Sequence, residues 1–294
     1  MSVREHNPEP TNPLGMDGIE FVEFATSHPQ ALGAVLQSMG FMPVARHRSR
    51  EVMLYRQGGM NLIVNAHPDT AHGVSAPAES PELKAIALRV HDAGHAWRHA
   101  IDLGAWEMPT RAAAMELNIP GIRGVGDSLI YFVDRYRDFS IYDVDFLPLP
   151  GADRQPGAIA GLHWFGIVQT ILAERTDDWV AFYGGLFGFQ PLPGGQYFGI
   201  LPKGTLLESP CRKFYLQLLE PPPGADDIHW DERLQRIGLG APDVRAATQA
   251  LRSRGVVFVD RDPVQPSEKG ALTQIYLGGV TFELVVSNRV SDLK

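Results

Sequence analysis

Cysteine is almost missing from this chain: Cys211 is the only one in 294 residues. One thiol excludes an intrachain disulfide framework and fits a reducing compartment. Long apolar runs are missing too. The longest, such as Gly279 to Val286, have strand length, whereas a membrane-spanning helix needs roughly 20 apolar residues. The expectation is a cytoplasmic protein with no membrane partner. Basic charge is in deficit, with 26 Lys and Arg against 34 Asp and Glu and a net charge of −8. That argues against a nucleic-acid partner, which usually needs a basic patch or stripe. Residues 1–13 are polar and proline-bearing, without the apolar segment of a signal peptide, and read as a disordered arm. The glycine-rich stretch Gly121 to Gly126 is not followed by the lysine and serine of a phosphate loop. No Gly-x-Ser-x-Gly nucleophile elbow occurs. His91, His95 and His99 share one helical face by their spacing and read as solvated polar surface.

What the chain does have is an internal duplication. Met39-Gly40-Phe41-Met42-Pro43-Val44 recurs as Phe187-Gly188-Phe189-Gln190-Pro191-Leu192. A helical pattern precedes each copy, over Pro29 to Ser38 and Asp177 to Gly185. An apolar strand stands further upstream, over Ile19 to Ala25 and Leu162 to Thr170. Later, Ala85 to Asp92 lines up with Arg236 to Asp243, and in both copies a glycine follows the aspartate twelve residues on, Gly104 and Gly255. Between them, helices are expected over Ala93 to Leu103 and Val244 to Arg254, with the aspartate as N-cap and the glycine just past the C-terminus. Strands are expected to close each copy, over Leu129 to Asp134 and Ser140 to Phe146, then Leu272 to Leu277 and Val280 to Val286. Gly278-Gly279 marks the last hairpin turn. The fold class is therefore α+β. Residues 14–150 form an N-terminal unit, 151–160 a Pro/Gly-rich linker, and 161–290 a C-terminal unit.

The first copy resembles the amino-terminal domain of the 4-hydroxyphenylpyruvate dioxygenase family. The resemblance is carried by Ile19-Glu20-Phe21-Val22-Glu23-Phe24-Ala25, Met39-Gly40-Phe41, Leu54-Tyr55-Arg56-Gln57-Gly58, Met115-Glu116-Leu117-Asn118-Ile119-Pro120 and Ile141-Tyr142-Asp143-Val144-Asp145-Phe146. The second copy resembles the catalytic half through Phe182-Tyr183, Leu186-Phe187 and Gln274-Ile275-Tyr276. The resemblance implies two tandem vicinal-oxygen-chelate barrels of the glyoxalase and dihydroxybiphenyl-dioxygenase type, each built from paired βαβββ modules. It also implies a homodimer or homotetramer, a small organic-acid substrate of the 2-oxo acid type, and Fe(II) in the second barrel on two histidines and a glutamate, a triad that leaves coordination positions open. Carried over residue by residue, His163 matches the first histidine and Glu283 the glutamate, while Gln274 matches a pocket glutamine. The second-histidine position holds Arg236, which stays protonated and cannot ligate Fe(II). Two readings stay open. In one, His229 or a nearby carboxylate, Asp227 or Asp231, swings in from the preceding loop as a substitute ligand and the chain is a non-haem Fe(II) dioxygenase. In the other, Arg236 pairs with Glu283 in a metal-free relative with a binding or regulatory role or different chemistry. Within the first copy, the positions equivalent to His163, Arg236 and Glu283 are expected at Glu20, Ala85 and Asp143. That set holds no histidine, so function is expected in the second copy.

Overall fold

The computed structural model describes residues 11–67, 80–108, 116–193, 204–224, 230–259 and 269–288. The first copy runs β1 (Ile19–Ala25), α1 (Pro29–Ser38), β2 (Met42–His47), β3 (Val52–Gln57), β4 (Met60–Asn65), β5 (Glu82–Arg89), α2 (Ala93–Asp102), β6 (Gly121–Arg123), β7 (Leu129–Val133), α3 (Ile141–Asp145) and β8 (Phe146–Pro148). The second runs β9 (His163–Thr170), α4 (Thr176–Phe187), β10 (Gln190–Pro191), β11 (Thr205–Glu208), β12 (Tyr215–Leu219), β13 (Arg233–Ala241), α5 (Val244–Arg252), β14 (Gly270–Leu272) and β15 (Phe282–Val286).

The capping chemistry sets matching helices in the two copies. Asp92 accepts a hydrogen bond from the His95 amide at 2.7 Å, and Asp243 from the Ala246 amide at 2.9 Å. Each carboxylate satisfies an amide that the first helical turn leaves unpaired. Gly104 and Gly255, with φ of 89° and 90°, end the two helices in the left-handed conformation.

Strand order repeats as well. The first copy reads β8-β2-β3-β4-β1-β5-β7-β6 and the second β10-β11-β12-β9-β13-β15-β14. In both, the first strand of the copy pairs parallel to the end of its own module and antiparallel to the start of the next. The copies join edge to edge at one register position, Leu83 opposite Leu234. Their convex faces and helices share one apolar core, in which Phe132 and Phe187 meet at 6.2 Å between ring centroids. Gly126 (φ 59°) lies where the copies touch. A Cβ there would fall 1.8 Å from the Glu232 carbonyl oxygen, so only glycine permits the approach. Among the described residues no helix is long and apolar enough to cross a membrane.

One expected strand is a helix. Ser140 to Phe146 alternates well enough to read as extended, yet α3 forms because Asp143 accepts from both the amide and the hydroxyl of Ser140, at 2.9 and 2.8 Å. This reciprocal cap nucleates a turn that period-two reading does not see.

Candidate functional site

The strand β13 decides what the second barrel can hold. Its sequence Arg236-Ile237-Gly238-Leu239-Gly240-Ala241 alternates strictly. Ile237, Leu239 and Ala241 are fully buried in the shared core. Alternation then puts Arg236, Gly238 and Gly240 on the concave face. On the neighbouring β15, Phe282 and Leu284 enter the core and Glu283 takes the concave face, abreast of Gly238.

Arg236 and Glu283 form an ion pair there, Nε to Oε2 at 3.1 Å, with the two residues 5% and 3% exposed. Burial pulls the guanidinium below its ordinary pKa, and the Glu283 carboxylate opposes that pull. Nη2 of Arg236 is buried without an acceptor among the described residues. The remaining hollow beside the pair, bounded by Gly166, Val168, Gln217 and Gly238, measures about 20 Å³. That space holds about one water.

The structure does not bring His163 to Glu283. Glu283 lies abreast of Gly238, which lies abreast of Gly166, whereas His163 lies abreast of Gly240, farther along the strand. Glycine at 240 makes room for the ring, since a Cβ there would be 2.3 Å from His163 Nε2. The ring is also committed elsewhere. Its Nδ1 is 2.9 Å from the Gly161 carbonyl, which can only accept, so Nδ1 donates. Its Nε2 is 3.0 Å from the Ser287 hydroxyl. The reading of His163 as a partner of Glu283 in a metal site is therefore corrected by a register shift between Trp164 and Gly166. The position that does face Glu283 across β13 is Gly166. A Cβ there would fall 2.1 Å from the Tyr215 carbonyl oxygen, so no ligating side chain fits without moving β12.

Gln274 is exposed, with its amide on the Val257 carbonyl at 3.0 Å, and it does not line the hollow. The expected strand over Leu272 to Leu277 gives way after Leu272 to isolated bridges, which removes the alternation that would have turned Gln274 inward. His229 lies outside the described residues. Among the described residues no group of three His, Cys, Asp or Glu side chains is arranged to hold a metal ion.

Register also corrects the expected internal equivalences. Since Ala87 pairs with Tyr131 as Gly238 pairs with Glu283, the first-copy counterpart of Glu283 is Tyr131, and Asp143 sits on α3. Since Ile19 pairs with Leu88 as Trp164 pairs with Leu239, Glu20 matches Phe165, and His163 matches Gly18. Ala85 keeps its expected correspondence with Arg236.

That first-copy concave face is not bare. Glu23 on β1 accepts from Asn65 Nδ2 at 2.9 Å. Burial pushes the Glu23 carboxyl above its ordinary pKa, with Asn65 and Arg50 opposing the shift. A folded-state value above the ordinary 4.5 means the folded chain holds this proton more tightly than the unfolded chain. Its contribution to stability is full below about pH 4.5 and is lost as pH rises through the folded value. Glu23→Gln, which keeps an acceptor for Asn65, is therefore expected to melt above the wild type at pH 7 and to lose that advantage near pH 4. Melting curves at the two pH values check this, and a variant less stable than wild type at pH 7 would contradict it.

Paired βαβββ modules folded into two barrels define a vicinal-oxygen-chelate protein. A family model described as "Hydroxyphenylpyruvate dioxygenase, HPPD, N-terminal" matches residues 10–147. Hemolysin VllY of Vibrio vulnificus is 37% identical over 264 residues, covering 84% of this chain and 73% of that protein. A 4-hydroxyphenylpyruvate dioxygenase of a Pseudomonas species is 34% identical over 264 residues, covering 86% and 73%. Among solved structures, a xylose isomerase-like TIM barrel/4-hydroxyphenylpyruvate dioxygenase fusion protein superimposes with a TM-score of 0.72 at 25% identity, covering 95% of this chain and 50% of that one. The chain belongs to the 4-hydroxyphenylpyruvate dioxygenase family.

Proposed function

We propose that this chain is a metal-independent member of its family, a binding or regulatory relative in which the Arg236–Glu283 ion pair stands where the resemblance places iron. The observation that carries this reading is the buried 3.1 Å contact itself. Among the described residues, Fe(II) does not fit the donor set. Of the three expected ligand positions only Glu283 offers a ligand: Arg236 is a cation, and His163 is engaged with Gly161 and Ser287. A dication bound to Glu283 would sit roughly 4 Å from the guanidinium and be repelled by about 8 kcal/mol at an effective dielectric of about 20. The arginine would have to leave before iron could enter, and leaving would break a buried pair.

The competing reading is the iron-dependent dioxygenase, acting on a 2-oxo acid or related aromatic or organic acid through His163, Glu283 and His229. It is favoured by the name of the Pseudomonas relative. One experiment separates the two. Full-length protein is loaded with Fe(II) under anaerobic conditions, desalted, and assayed for metal and for oxygen uptake with a panel of aryl and alkyl pyruvates. The expected result is no stoichiometric iron and no substrate-dependent oxygen uptake. One iron per chain, lost in Glu283→Gln, would overturn the proposal.

A further inference from the structure

The first barrel, which the resemblance casts as structural scaffold, contains a larger cavity than the hollow beside Glu283: about 150 Å³ against about 20 Å³. We propose that this cavity is a ligand site for a one-ring organic molecule that carries hydroxyl or amino donors and no net negative charge.

Size sets the first limit. A cavity of about 150 Å³ in an apolar protein interior admits benzene, so a single ring fits. Shape and lining agree with a ring. Phe21 on β1 and Tyr131 on β7 line it, 5.8 Å apart between centroids, as do Tyr142 and Phe146, 5.7 Å apart and edge to face. Aromatic walls at these spacings leave ring faces and edges available to a planar guest.

Polarity sets the second limit. Glu23 and Asn65 line the cavity from adjacent strands. Asn65 holds one Glu23 oxygen, and no other hydrogen bond to that carboxyl group is made by the described residues. A carboxyl so placed meets a donor on the guest, and one remaining oxygen suits one hydroxyl or amino group.

Charge sets the third limit. Arg50, the one guanidinium at the rim, is already bound by Glu116 through Nε at 3.0 Å and through Nη2, and Glu116 also accepts from Ser49 Oγ at 2.6 Å. Asp145 accepts from the Leu117 amide at 3.1 Å. Burial holds the His47 imidazole below its ordinary pKa, which favours its neutral form. Arg50 and Glu116 cancel each other, so Glu23 and Asp145 are the carboxyl groups that set the charge of the lining. An organic anion would meet repulsion, while a neutral or cationic guest would not. The 2-oxo acid implied for the second barrel is thus the wrong charge for the first. The inference stands whether or not iron binds at Glu283, because none of these residues touches that pair.

The test uses the full chain. Calorimetric titration with catechol, tyramine and 4-hydroxybenzoate is combined with soaking of crystals in the tighter of the first two. Saturable one-to-one binding is expected for catechol and tyramine, with 4-hydroxybenzoate weaker by roughly tenfold or more. Glu23→Gln is expected to weaken tyramine by about tenfold or more, as loss of a charge-assisted hydrogen bond does. Val52→Phe, which fills the cavity, is expected to abolish binding of both. Should that variant fail to fold, the soaked wild-type crystal decides by where the ring lies. Absence of saturable catechol and tyramine binding would overturn the proposal, as would equal affinity for 4-hydroxybenzoate or a ring bound outside the first barrel.

Discussion

Arg236→Met is expected to lower stability by about 3–5 kcal/mol at neutral pH, the usual cost of removing one partner from a buried pair. In a chain of this size that is a fall in melting temperature on the order of 10 °C. Glu283→Met is expected to cost a similar amount. The two variants should differ in acid. With arginine gone, Glu283 can take up a proton as pH falls, so the loss in Arg236→Met shrinks on acidification. With the carboxylate gone, the guanidinium stays charged throughout, and the loss in Glu283→Met persists. The double variant Arg236→Met/Glu283→Met should recover most or all of the stability, because two apolar side chains replace a buried pair at little net cost. Thermal melts of the four proteins at pH 7 and pH 5 check this. Single-variant losses below about 1 kcal/mol would place the pair in the class of solvent-exposed bridges and contradict the buried geometry.

The second large effect is expected at Gly166. Gly166→Ala puts a methyl group 2.1 Å from the Tyr215 carbonyl oxygen. Two paired strands must part to admit it, since the obstacle is backbone and not the flexible end of a side chain. Overpacking of this kind costs about 1–3 kcal/mol and sometimes more, and rigid neighbours on both sides put this site at the upper end. Gly185→Ala on α4 is the control: nothing lies within 4 Å of its added Cβ, and alanine favours the helix by up to about 1 kcal/mol. Denaturant melts of both variants measure the contrast. A Gly166→Ala protein as stable as wild type would mean that the strand facing Glu283 can accept a side chain, which would reopen the case for a ligand there.

The contrast between the two sites explains which parts of the protein were legible in its sequence. Helices α2 and α5 announce themselves through local chemistry: Asp92 and Asp243 as caps, Gly104 and Gly255 as stops. Together with the recurrence of Met39 to Val44 as Phe187 to Leu192 they give the duplication, and with it the fold. Arg236 and Glu283 were reached through the family resemblance, which puts both at expected ligand positions. His163 was misplaced for a different reason. A bulge adds a residue between Trp164 and Gly166 and shifts which side chains stand abreast, and no composition rule reports that shift. A signal was present in Gly166 itself, because an isolated glycine within a strand often marks a bulge or a close backbone approach. The short helix α3 was lost to its apolar alternation, although Ser140 and Asp143 spell its cap. The cavity of the first barrel had no local signature at all. Its walls come from β1, β3, β4, β7 and α3, and only the folded sheet brings Glu23, Tyr131 and Tyr142 around one space.

The most direct test of the central claim is a crystal structure of the full chain grown anaerobically in excess Fe(II), with diffraction recorded at the iron absorption edge. The account predicts no anomalous peak beside Glu283 and an Arg236–Glu283 contact near the 3.1 Å seen here. An iron peak bonded to the Glu283 carboxylate, with Arg236 swung out of the barrel, would contradict it.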